Sequence, residues 1–262
     1  MKKLICFAAA LTLLLSLSAC GEDKLPTETD ITTAPATDVV TEAPTATSDE
    51  TPTGAPTQAP TEAPRCALTG QEGTLFRNSL GEVWLSVWVT VRNDGTAPLS
   101  LPPMDITASA GGSTVKTLSA VTAYPNVIAS GETACYYDES RVDTDTVGAA
   151  DLTFDLAAET AAEDAVVRYT VTDKTQLRDS VYGGLTLTGE IKNEAVTKSE
   201  SMACVAAVLY GEDDAVLGVL YAYLSDPPAA GKTVSFTLDS FMLPADVTAD
   251  AVTQIQTFAY PT

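Results

Sequence analysis

The side chains able to do chemistry are few, and their types narrow the field before any fold is considered. Trp84 and Trp88 stand four residues apart, a spacing that on an extended strand puts both rings on one side, about 13 Å apart. Rings so placed bind sugar rings or a protein partner by stacking and area burial, and they are also what a facing sheet or neighbouring domain covers. Two acidic groups, Glu212-Asp213-Asp214 and Asp143-Thr144-Asp145, lack the ligand spacing of a calcium loop and read as solvated turns, so no metal site is expected. Carboxylate pairs are the raw material of glycoside hydrolysis, yet nothing aims two of them at a shared cleft. Neither a nucleophile elbow nor a phosphate loop is present, and Gly111-Gly112-Ser113 reads as a turn. No catalytic residue and no cofactor is assigned.

The composition agrees with so short an inventory. The chain of 262 residues has no histidine, which removes Ser-His-Asp and Cys-His catalysis and imidazole zinc ligands. With 35 Asp and Glu against 14 Lys and Arg, its net charge of -21 repels phosphate backbones and excludes nucleic acid as a partner. Five cysteines are present. Cys66 and Cys135 are either a disulfide, which would close a long loop, or two free thiols. Cys204 lies on an apolar strand and reads as a small buried hydrophobe.

The N-terminus is an export signal. Met1-Lys2-Lys3 precedes an apolar run over residues 4–17, too short to cross about 30 Å of hydrocarbon as a permanent helix. The segment Leu17-Ser18-Ala19-Cys20, followed by Gly21, resembles the lipobox of bacterial lipoproteins. That resemblance implies a diacylated, palmitate-bearing Cys20 as the mature N-terminus and stable anchoring at the outer face of the cell membrane. From residue 21 to 64 the composition turns to Thr, Pro, Ala and acids, with near-repeats such as Thr57-Gln58-Ala59-Pro60 and Thr61-Glu62-Ala63-Pro64. Such a stretch cannot bury a core, so it is expected to be a disordered linker, reaching about 130 Å if fully extended as polyproline II.

Beyond residue 64 the pattern is β. The clearest strand is Trp84-Leu85-Ser86-Val87-Trp88-Val89-Thr90-Val91, with Leu85, Val87, Val89 and Val91 on one face and Trp84, Ser86, Trp88 and Thr90 on the other. A second such strand, Leu185-Thr186-Leu187-Thr188-Gly189-Glu190-Ile191, lies at an offset of 100, as Asn193 does from Asn93 and Ala229-Ala230-Gly231-Lys232-Thr233 from Ala129-Ser130-Gly131-Glu132-Thr133. This reads as a tandem repeat. Trp84 and Trp88 align with Gly184 and Thr188, so the repeat itself does not require aromatic rings there.

The second repeat, with Val205-Ala206-Ala207-Val208-Leu209-Tyr210-Gly211, the acidic turn at Glu212 and the run from Pro227-Pro228 to Phe236, resembles the FxLYD-type bacterial surface domain. It departs from the name-giving motif at Ala207 and Gly211. The resemblance implies an immunoglobulin-like β-sandwich and no catalysis. The expected fold class is thus all-β, with two tandem immunoglobulin-like sandwiches. The expected boundaries are a signal over 1–19, lipidated Cys20 plus linker over 20–64, and β units over 65–160 and 161–262. The expected function is a non-enzymatic, lipid-anchored surface protein with a cell-wall, glycan or protein partner. The alternative is a secreted carbohydrate-active or carbohydrate-binding protein using Trp84 and Trp88 as an exposed platform.

Overall fold

Leu85, Val87, Val89 and Val91 are all 0 % exposed, so the period-two alternation of this segment becomes one dry face of a strand. The computed structural model describes residues 63–78, 80–181, 183–195, 202–240 and 242–262; the signal, Cys20 and nearly all of the Thr/Pro stretch lie outside them. The described residues belong to one compact unit. It is all-β. Short 3-10 turns are the only helical pieces among the described residues, and none is long and apolar enough to cross a membrane.

The strands of residues 63–160 are β1 (Cys66–Arg77), β2 (Val83–Asn93), β3 (Leu99–Ser100), β4 (Met104–Ala110), β5 (Ser113–Val121), β6 (Ala123–Tyr124), β7 (Val127–Ile128), β8 (Thr133–Arg141), β9 (Gly148–Phe154) and β10 (Glu159–Thr160). Those that follow are β11 (Thr170–Val171), β12 (Gln176–Asp179), β13 (Leu185–Lys192), β14 (Ala203–Tyr210), β15 (Val216–Leu224), β16 (Thr233–Ser240) and β17 (Gln254–Pro261). In the first half a seven-stranded sheet runs β5-β4-β9-β1-β2-β8-β6, beside a small sheet β10-β3-β7. In the second half β13 is flanked by β16 on one side and by β11 and β12 on the other, while β14 lies between β15 and β17. Among the described residues no ladder joins the two halves.

The offset of 100 reappears in the ladders. Leu85 faces Ser140 and Val91 faces Ala134 across β2 and β8; Leu185 faces Ser240 and Ile191 faces Val234 across β13 and β16. The same asparagine closes both ladders. Nδ2 of Asn93 donates to the Ile128 carbonyl (3.3 Å) while Oδ1 accepts from the Gly95 N–H (2.9 Å). Nδ2 of Asn193 donates to the Pro228 carbonyl (3.0 Å) while Oδ1 accepts from the Ala195 N–H (2.9 Å). Each asparagine carbonyl accepts from the N–H of a glycine, Gly131 or Gly231 (both 2.8 Å), at φ of +77° and +67°, a conformation that favours glycine. Buried Asn is costly unless satisfied, and here nearly all of its capacity is spent fixing a turn.

Two cores follow from these faces. Leu75, Leu85, Val87, Ile106 and Tyr136 fill the first, and Leu185, Leu187, Val205, Leu209 and Leu238 the second. A third apolar cluster joins the halves. Cys135, Tyr137 and Tyr124 of the first half pack on Cys204, Ala206, Val208, Val219 and Tyr260 of the second. Strand β14 is therefore buried on both faces, with every residue from Ala203 to Leu209 at 0 % exposure. This is why its sequence is continuously apolar instead of alternating.

Candidate functional site

Both tryptophans occupy the outer face of β2, as the alternation predicts, and both are half-buried. Trp88 packs against the apolar cluster that joins the halves, where its ladder neighbours are Glu72 and Tyr137. A methyl group at Gly70 would sit 3.1 Å from the Trp88 ring, so the absence of a side chain there makes room for the indole. Trp84 lies further along the strand between Phe76 and Arg141, and its indole N–H donates to Glu82 at 3.4 Å. Both rings thus keep part of their surface open, and Trp88 alone lies beside residues of the second half.

What the covering leaves is a groove. One wall is the outer face of β1 and β2, with Glu72, Thr74, Phe76, Ser86 and Trp88; the other is Val216 and Leu217 at the start of β15 with Pro244, Asp246 and Val247 from the loop after β16. The Thr74 hydroxyl donates to Glu72 at 2.8 Å and steadies that carboxylate. No Lys or Arg lines the groove.

Next along the same face, the Tyr137 hydroxyl donates to Glu139 at 2.8 Å. Burial is the main cause that pushes the Glu139 carboxyl up to about 7, with the Asp138 charge adding to it against the Tyr137 hydrogen bond. Asp138 is also raised by burial. Tyr221 stacks on Tyr124 with ring centres 5.0 Å apart and meets Tyr223 edge-on at 6.1 Å, so tyrosines from both halves cap the junction. Polar ties flank it. Arg168 donates to the Val127 carbonyl (2.6 Å) and to Glu132 (2.9 Å), and Gln256 donates to Thr133 (3.3 Å).

The three described cysteines are free. Cys66 packs against the first core and Cys135 against the junction cluster on the other face of the sheet. Their side chains leave opposite sides of the sheet, so the bridge considered from the sequence gives way to two thiols. Cys204 is a fully buried small hydrophobe. Desolvation pushes Cys135 up to about 12 and Cys204 up to about 11, which keeps both thiols protonated and inert. The acidic Glu212–Asp214 segment is a tight turn with Asp213 and Asp214 at positive φ, while Asp145 pairs with Arg77 at 3.3 Å. Among the described residues no three Cys, Asp or Glu gather as a metal site would require.

Phe76, Tyr137, Glu139 and Tyr221 did not stand out in the sequence. The available signal was the run Ala134-Cys135-Tyr136-Tyr137, apolar on both faces of a strand, as in β14. Comparison with protein-family models, curated proteins and solved structures gave no match.

Proposed function

We propose that this chain is a non-enzymatic, lipid-anchored protein of the outer face of the bacterial cell membrane. It presents two immunoglobulin-like β-sandwich modules, residues 65–160 and 161–262, for binding or for envelope structure. The observation that carries this reading is the order of its parts. A lipobox-like Leu17-Ser18-Ala19-Cys20 is followed by a Thr/Pro-rich stretch, and the first β-strand of the described residues begins at Cys66, just past the end of that stretch. The shared ladder register and the paired Asn93 and Asn193 turns support two modules of one kind. A chain without histidine whose buried thiols are held protonated suits display and binding better than catalysis. The sugar-binding alternative rests on Trp84 and Trp88, both half-buried on the outer face of β2, with Trp88 lining the groove.

The anchor is tested by metabolic labelling with an alkyne-tagged palmitate. The wild-type chain should take up label and fractionate with membranes. Cys20→Ser should lose the label and appear in the medium; a Cys20→Ser protein that stays labelled and membrane-bound would overturn the proposal.

A further inference from the structure

We propose that the groove beside Trp88 binds a lysine side chain, an alkyl stem ending in a primary ammonium, presented by a peptide partner. This deepens the binding-module reading and rests on it. The walls supply what such a group needs. Leu217 and Val247, half-buried over the buried Phe76, offer apolar surface to a methylene stem, and the half-buried Trp88 adds an aromatic ring of the kind that attracts a cation. Glu72 stands on the first-half wall and Asp246 on the facing loop of the second half, both exposed. Glu72 accepts only a hydroxyl hydrogen bond from Thr74, and neither carboxylate is in an ion pair among the described residues. By contrast Arg77, Arg92, Arg141, Arg168, Lys174 and Lys192 are each paired with a carboxylate elsewhere. A groove with two uncompensated carboxylates and no basic side chain is complementary to a cation and disfavours phosphate or carboxylate ligands. The stem-binding surface selects an ammonium on a carbon chain over a bare ion. The site exists only where the two halves meet, because each contributes one carboxylate.

The test uses the full chain, whose two tryptophans both lie on this face, so intrinsic fluorescence reports the site. An acetylated, amidated (Lys-Gly)3 peptide should change the emission saturably. Binding should weaken about tenfold or more, some 1.4 kcal/mol, when the lysines are Nε-acetylated or when Glu72→Gln and Asp246→Asn are combined. The unfolding midpoint of that variant checks that it is folded. Equal binding of the acetylated peptide, or an unaltered affinity in the folded double variant, overturns the ammonium assignment. A response to diacetylchitobiose in place of the lysine peptide would overturn it too, while leaving the surface-binding reading standing. Silence toward every probe from a folded protein also overturns it, and the anchor is judged separately by the palmitate label.

Discussion

Tyr169 is 4 % exposed and its hydroxyl has no hydrogen-bond partner among the described residues. A desolvated hydroxyl without a partner costs free energy that the ring alone does not. Tyr169→Phe should therefore raise stability by about 1 kcal/mol, read as a higher urea midpoint at unchanged slope. Asn93 is the opposite case. Its amide holds the carbonyls of Ala97 and Ile128 and the N–H of Gly95, so Asn93→Ala strands buried groups and should cost about 2–4 kcal/mol in the same measurement. The offset of 100 from Asn93 to Asn193 was legible because a polar residue with a fixed task keeps its place in the ladder. The positions of the thiols were not legible, because which face a cysteine leaves depends on strand pairing. With Cys135 buried and pushed up to about 12 and Cys204 to about 11, Ellman's reagent at pH 8 should reach neither until the protein is unfolded.

Strand β14 carries the packing argument at the level of elements. Its inner residues Ala203, Val205, Ala207 and Leu209 fill the second core, while Cys204, Ala206 and Val208 face the first half. In the first half β4 holds the matching central place, and its residues facing away from the core, Asp105, Thr107 and Ser109, are polar and none is buried. The continuous apolar run of β14 could be read as a strand, but its second buried face needed a partner that single-strand periodicity does not name. Ala206→Asp would place a charge at a position with 0 % exposure and should cost about 3–5 kcal/mol. If the halves are coupled through this face, calorimetry should then show two transitions where the wild type shows one. The same junction has a pH dependence. The Glu139 carboxyl keeps its proton up to about 7 in the folded protein against 4.5 as its ordinary value. Its contribution to stability is therefore full below about pH 4.5, declines as pH rises, and is gone above about 7. The unfolding midpoint should fall between pH 5 and pH 8, and Glu139→Gln, which keeps a hydrogen-bond acceptor for Tyr137, should flatten that fall.

At the level of the whole molecule, the charge of -21 acts on solubility and on the sign of any partner, and leaves the fold to the apolar pattern. The all-β class was legible from alternation and turn residues alone. The junction was not, because it depends on which outer faces the two halves turn toward each other. The contact there is head-to-tail: the outer face of β2 and β8 from one half meets the outer face of β14 from the next. Contacts of that kind do not close on themselves and in principle continue into a filament. Here both free ends are blunted. The second half's counterpart of the receiving face carries Thr188, Glu190, Ser235, Thr237 and Asp239, and the first half's counterpart of the inserting face carries Asp105, Thr107 and Ser109. Both of these faces are polar where the joining faces are apolar. Neither counterpart face therefore offers the apolar surface by which the two halves hold each other, so the exposed sheets meet solvent through hydroxyls and carboxylates.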